Sequence, residues 1–228
     1  MSNPKKDNKL WIEDLSRQYG ASLFGVAEVN PYKEGFLLSH LEIAGLEFAI
    51  SIAVPLSKSV LDGIETKPTL LYKWHYRQAN NLLDRIAFLI SQNITVKGYR
   101  ALPVAASQII DWDAQRAHVS HRIIGEAAGL GWRGRNNLLV NPLYGAQMRL
   151  VTILTDIPLV VNAPLDGNCG RCSRCVTVCP VGALGENASD YNFDKCFEYL
   201  KECSNERGIG QHICGVCVKA CPGTKGSQ

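Results

Sequence analysis

All nine cysteines of this chain lie between Cys169 and Cys221, and none precedes them. Thiols packed into so short a stretch have a shared task, and the onset of the cluster puts a domain boundary near Asp166, dividing residues 1–165 from 166–228. The segment from Met1 to Lys9 is polar, carries Lys5, Lys6 and Lys9, and has no apolar run of the secretory type; no later run is long enough to cross a bilayer. A cytoplasmic location is therefore expected. In that reducing compartment dense thiols hold metal rather than form disulfides.

The spacing narrows the metal. Cys169-Gly-Arg-Cys172-Ser-Arg-Cys175-Val-Thr-Val-Cys179-Pro180 matches the bacterial ferredoxin pattern C-x2-C-x2-C-x3-C-P in full. Three close thiolates wrap one loop around three corners of a 4Fe-4S cube, and the fourth cysteine serves a neighbouring cube. Cys214-Gly-Val-Cys217-Val-Lys-Ala-Cys221-Pro222 supplies the second motif and lacks only its first cysteine, for which Cys196 and Cys203 are the candidates. Crossed ligation gives Cys169, Cys172, Cys175 and Cys221 to one cluster, and Cys179, Cys214, Cys217 and one of those two to the other. Zinc is disfavoured, because its sites join two separated cysteine pairs and a C-x2-C-x2-C triple would crowd one tetrahedral ion. Two clusters in one small domain make an electron relay.

Ahead of the cysteines the chain reads as a globular domain. Hydrophobic residues make up 46% of the whole, and the surplus of 24 Lys and Arg over 21 Asp and Glu lies entirely before residue 166. That is too thin a positive field for nucleic acid to be an expected partner. Periodicity and turn signals predict a helix over 8–19 with Leu10, Trp11 and Leu15 inward, and a strand over 21–29. They further predict a helix over 34–43, a buried strand over 48–54 and a long helix over 70–91, with Tyr72, Tyr76, Ala79, Leu83, Ile86 and Ile90 on its buried face. A strand over 98–104, a helix over 114–128 and a strand over 147–155 complete the set. Strands alternating with helices predict an α/β sandwich with one mixed sheet.

Between the last helix and strand stands GEAAGLGWRGRNNLL, from Gly125 to Leu139, with glycines at 129, 131 and 134 that let backbone approach a flat ligand. It fails as a dinucleotide fingerprint, because the helix precedes the loop instead of following it. This string, together with Pro142-Leu-Tyr-Gly145, the segment 150–156 and the CGRCSRC cysteines, resembles the epoxyqueuosine reductases, cobalamin-dependent iron-sulfur enzymes of tRNA modification, and more distantly the reductive dehalogenases. The resemblance implies an α+β chain: a nitroreductase-like corrinoid domain followed by a ferredoxin-like domain with two 4Fe-4S clusters, a base-off cobalamin lying between the two. It implies cobalamin contacts from Gly129, Gly131, Trp132, Gly134 and Asn136, a reductase activity, and a low-potential donor such as a ferredoxin or flavodoxin as partner. A flavin is the lesser alternative. By the same resemblance, Asp194-Lys195-Cys196-Phe197-Glu198-Tyr199-Leu200 selects Cys196 over Cys203 as the last ligand.

The departures also count. The family's general acid falls in register on Gln115, with Asp111 and Asp113 nearby but displaced, and no counterpart of the family's C-terminal helical repeats follows the cysteines. A substrate other than tRNA epoxyqueuosine is expected, with the proton donor sought among Tyr72, Tyr76, His75, Asp113, His118 and His121. His118 and His121 also have the i, i+3 spacing of two metal ligands on a helix, without an evident third. The alternative function is a non-catalytic electron carrier or a corrinoid-reducing partner protein.

Overall fold

The computed structural model describes residues 3–223, so the first two residues of the polar N-terminal segment lie outside the described part. The helices are α1 (Pro4–Gln18), α2 (His40–Ile43), α3 (Lys58–Leu61), α4 (Leu70–Val96), α5 (His121–Ala127), α6 (Arg174–Thr177), α7 (Phe193–Asn205) and α8 (Val216–Lys219). The strands are β1 (Leu23–Glu28), β2 (Phe48–Pro55), β3 (Ala101–Val104), β4 (Trp132–Arg133), β5 (Leu139–Val140) and β6 (Met148–Thr155). None of the described helices is long and apolar enough to cross a membrane.

Four strands form a sheet in the order β1-β2-β6-β3. Leu23 faces Ala53 and Glu28 faces Phe48 across β1 and β2, and Ala101 faces Thr155 across β3 and β6, so both outer pairings are antiparallel. Between β2 and β6 the flanking bonds run from Glu47 N–H to the Thr155 carbonyl (3.1 Å) and from Leu56 N–H to the Gln147 carbonyl (2.8 Å), which sets that pair antiparallel as well. The mixed sheet expected from the sequence is thus replaced by an antiparallel one. β6, the last of the described strands, inserts between β2 and β3, and among the described residues no helical crossover joins parallel neighbours. Seven consecutive residues of β2 are buried, as a central strand covered on both faces requires.

The residues gather into two compact units that interleave along the chain. The first comprises Met1–Val54, Asn80–Leu130 and Arg149–Leu165; the second comprises Pro55–Ala79, Gly131–Met148 and Asp166–Gln228. The cut at Leu165 coincides with the boundary drawn from the cysteines, but two earlier segments group with the cysteine-bearing part.

In the first unit, Val29, Ile43, Leu46, Ala49, Val104, Val119, Ile124 and Leu154 form a buried cluster, with Tyr32, Phe36 and Leu38 packed against it. Each fully buried aliphatic side chain contributes about 1.5–3 kcal/mol. This cluster explains two differences from the sequence reading. The helix expected over 34–43 is a 3-10 turn (Asn30–Gly35) and a short α2 separated by extended chain, because Phe36 and Leu38 turn onto the core and Ser39 then starts α2 with a capping box to Glu42. The helix expected from 114 begins only at His121, because Asp111 accepts from the N–H groups of Asp113 and Ala114 and Gln115 adopts a left-handed conformation. In α1 the buried residues are Ile12 and Ser16, whereas Leu10 is 49% exposed and Trp11 and Leu15 are half-buried. Along α4 the expected face is buried except for Tyr76, which is half-buried.

In the second unit, α8 packs against α6 and α3. Segments from well before the cysteines satisfy polar groups among them: Tyr199 donates its hydroxyl to the Thr66 carbonyl (2.6 Å), Lys219 donates to the carbonyls of Asp62 and Ile64, and Gln147 donates to the Lys219 carbonyl. These bonds tie segments 55–79 and 131–148 to the cysteine-bearing part with which they group.

Candidate metal centre

Cys169, Cys172, Cys175 and Cys221 line one cavity of about 160 Å³, together with Trp132, Arg135, Asn136 and Val140. The loop that carries the first three is shaped locally. Gly170 takes a left-handed conformation, its N–H bonded to the Asn168 side chain (2.8 Å), and the Cys172 N–H closes a turn onto the Cys169 carbonyl (3.0 Å). Arg135 then clamps this loop from outside it. Its guanidinium donates to the carbonyls of Gly170 (3.0 Å), Cys172 and Glu186, a planar fork spread over three acceptors. α6 carries Cys175, which is buried, and Cys179 follows the end of that helix, its sulfur accepting from the Ala183 N–H (3.3 Å). Cys221 follows α8, and its carbonyl is held by the Ala146 N–H (3.0 Å).

Electrostatic coupling sorts the thiols. Burial raises Cys175, and Cys169 and Cys172 add to it; burial pushes Cys221 up to about 11, with Cys175, Cys169 and Cys172 reinforcing the shift. A second group answers largely to other partners, with Cys175 the one thiol of the first group that also acts on it. Burial raises Cys217 strongly, assisted by Cys214, Cys196, Cys175 and Cys179. It pushes Cys214 up to about 12, assisted by Cys203, Cys196 and Cys179. Cys196 is raised by burial, opposed by a hydrogen bond with Tyr191, and Cys179 raises it further. Cys203 is fully buried; burial raises it, while Tyr199, Lys67 and Cys214 act the other way. Like charges gathered in a poorly solvated place stay protonated unless a cationic group neutralises them, and sulfur donors select soft metals and iron-sulfur clusters. The donor set therefore fits such a group. Among the described residues, no three of His, Cys, Asp and Glu close on a single ion.

The glycine-rich turn is used by the chain itself. A Cβ on Gly131 would strike the Val140 carbonyl across the β4–β5 pair, and one on Gly129 would lie 2.5 Å from the Ala163 carbonyl oxygen. A Cβ on Gly134 would meet Val140 and Asn136 and come within 3.6 Å of the Cys169 sulfur. Trp132 and Asn136 line the cysteine cavity, whose volume is well below the roughly 300–1,000 Å³ of sites for larger ligands. A cavity of this size does not fit a corrin; Trp132 and Asn136 fit the smaller group that the thiols would hold, while Gly129 and Gly131 approach the chain itself.

The remaining candidates are dispersed. Tyr72 is buried edge-on to Tyr76, with ring centroids 6.2 Å apart, and packs where a side chain on Gly215 would stand. His75 accepts from the Ser57 N–H (2.8 Å), and burial lowers its pKa. In the other unit, His118 Nδ1 lies 2.8 Å from the Leu37 carbonyl, and His121 stands between the Thr152 hydroxyl (2.8 Å) and the Ala105 carbonyl (2.9 Å). The two histidines thus serve separate partners and are not both on a helix. Asp113 is exposed, Asp111 organises its own turn, and Gln115 donates to the Trp112 carbonyl. Sequence reading missed Arg135 as a clamp; a lone guanidinium set between Gly134 and Asn136 inside the glycine-rich turn was the available signal.

No family model matches the chain. Curated relatives that it resembles include epoxyqueuosine reductases of Bacillus anthracis (31% identical over 116 residues, 47% of this chain and 30% of the relative) and Escherichia coli (29% over 165 residues, 68% and 40%). The chain thus aligns with only 30–40% of the length of these relatives. Among solved structures, a reductive dehalogenase described as suggesting a mechanism for B12-dependent dehalogenation superposes with a TM-score of 0.77 at 21% identity, covering 96% of this chain and 32% of that one. An epoxyqueuosine reductase solved with a modified tRNA stem loop gives 0.66 at 19% identity, covering 95% and 65%. At these identities the shared property is the fold.

Proposed function

We propose that this relative of the epoxyqueuosine reductases is an iron-sulfur reductase that relays electrons through two 4Fe-4S clusters. Cys169, Cys172, Cys175 and Cys221 hold the first, and Cys179, Cys196, Cys214 and Cys217 the second. The observation that carries this reading is the cavity in which Cys221 joins the three thiols of the first loop, while its near neighbours Cys214 and Cys217 couple to Cys179 and Cys196. A bound cluster supplies one-electron chemistry with little rearrangement, at a potential set by burial, charge and hydrogen bonds to sulfur. The chain's own residues do the rest. Arg135 fixes the first loop and places a positive charge beside it, and Val140 and Ala220 give the cavity apolar wall. In this reading residues 166–228 carry a ferredoxin-like module, residues 1–165 a nitroreductase-like part, and a low-potential ferredoxin or flavodoxin is the donor.

Cobalamin as the acceptor rests on the neighbour named for B12-dependent dehalogenation. The glycine turn gives it no support, since its close approaches are to the chain itself. That observation favours a second reading, an electron carrier that passes electrons to another protein. The deciding experiment is the absorption spectrum of anaerobically reconstituted protein before and after cobalamin or flavin is added, with iron and sulfide counted. About eight of each per chain support the relay. Stoichiometric zinc overturns it, and clusters without a cobalamin or flavin response support the carrier.

A further inference from the structure

Asn136 is 4% exposed, and its amide nitrogen Nδ2 is buried with no hydrogen-bond partner in the protein. The orientation of the amide is set, because its other end accepts from the Leu138 N–H (3.2 Å) and only a carbonyl oxygen can do so. Burying an amide donor without a partner is unfavourable, because its water hydrogen bonds are lost and nothing replaces them. The same side chain lines the cavity formed by Cys169, Cys172, Cys175 and Cys221. The Trp132 indole N–H, on that same lining, is a second buried donor without a partner. Besides these two donors, the lining holds four thiols, the cationic Arg135 and Asn168, whose side-chain oxygen is already taken by the Gly170 N–H. Two unmatched donors on such a wall point to an acceptor within the cavity.

We infer that the Asn136 amide donates an N–H···S hydrogen bond to the first cluster or its thiolates, and so raises the first cluster's potential above what the thiolates alone would set. The inference rests on the two-cluster reading and adds a tuning residue to it. Four thiolates around a 4Fe-4S core give a net negative group, and one added electron makes it more negative still. A donor therefore stabilises the reduced form more than the oxidised form. Asn136 makes no metal bond; it positions a dipole against sulfur. Trp132 acts in the same sense from a second point of the wall.

The test uses the full chain after anaerobic reconstitution, with iron content, an EPR-monitored redox titration and pulsed EPR on protein labelled with 15N-asparagine. In Asn136→Leu the first cluster's reduced-to-oxidised ratio at fixed potential should fall about tenfold, which is a midpoint about 59 mV lower. The second cluster should not move. The 15N coupling to the reduced first cluster should be present in the unmodified chain and vanish in the variant. Should Asn136→Leu lose iron, Asn136→Asp keeps an oxygen for the Leu138 N–H and carries the coupling test. An unshifted first-cluster midpoint in an iron-replete Asn136→Leu, or a coupling that survives in either variant, overturns the inference. Failure of the unmodified chain to hold clusters would instead strike the two-cluster reading itself.

Discussion

His121 shows how a single side chain is committed before any chemistry is asked of it. The Ala105 carbonyl can only accept, so Nε2 carries the proton, and Nδ1 is left to accept from the Thr152 hydroxyl. The neutral ring is satisfied, and burial pulls its pKa down to about 4, with the charge of Arg149 reinforcing the shift against the opposing Ala105 bond. Between pH 6.5 and about 4 the unfolded chain binds a proton at this residue that the folded chain refuses. Stability from this group is thus present above pH 6.5 and lost as pH falls toward 4, by up to about 3 kcal/mol. Anaerobic urea unfolding of the unmodified chain and of His121→Gln should show a shallower acid loss in the variant; equal slopes would remove His121 from the account. Sequence supplied the histidine and its i, i+3 neighbour. It could not supply the partners Ala105 and Thr152, because those come from elements 16 and 31 residues away.

At the level of elements, α7 decides between two thiols. Both cysteines fall on this helix two turns apart, and Asn192 caps it by accepting from the Lys195 N–H (2.9 Å). Their surroundings differ. Cys196 couples to Cys179 and to the Tyr191 hydroxyl, and it acts on both Cys214 and Cys217. Cys203 exchanges hydrogen bonds with Tyr199 and Cys214, and Tyr199 is anchored to the Thr66 carbonyl. Cys196→Ser should therefore lose about half the iron and the second cluster's EPR signal, whereas Cys203→Ser should keep about eight irons, since serine can retain the contact with Tyr199. Equal losses, or loss at Cys203 alone, would exchange the two roles. The elements expected over 70–91, 48–54 and 147–155 match α4, β2 and β6 closely, because α4 buries a regular face and the two central strands are almost wholly buried. Periodicity overran at 34–43 and 114–120, where the apolar residues Phe36, Leu38 and Val119 reach the core from irregular chain.

For the molecule as a whole, the cysteine spacing made the cluster motifs legible but not the interleaving of the chain around them. The boundary at Asp166 marks where thiols begin. It could not reveal that 131–148 would support the cysteine segment, since that depends on Ala146 bonding Cys221 and Arg135 bonding Gly170 and Cys172. The crossing of the two motifs is the consequence most open to test. Cys221 is four residues from Cys217 and 46 from Cys175, so a ligand set built from neighbours in sequence would place Cys221 with Cys214 and Cys217. The cavity places it with Cys169, Cys172 and Cys175, and the three thiols that reinforce its raised pKa are those same three. Removing a thiolate deprives its cluster of charge balance and of one iron bond, while the other cluster keeps all four. Cys221→Ser should therefore abolish or alter the signal of the first cluster, and Cys179→Ser that of the second, each variant retaining about four irons. The double variant Cys175→Ser with Cys221→Ser should lose no more iron than Cys221→Ser alone, because both ligands serve one cube. If the double variant instead loses all iron, the motifs do not cross and each segment holds a cluster of its own.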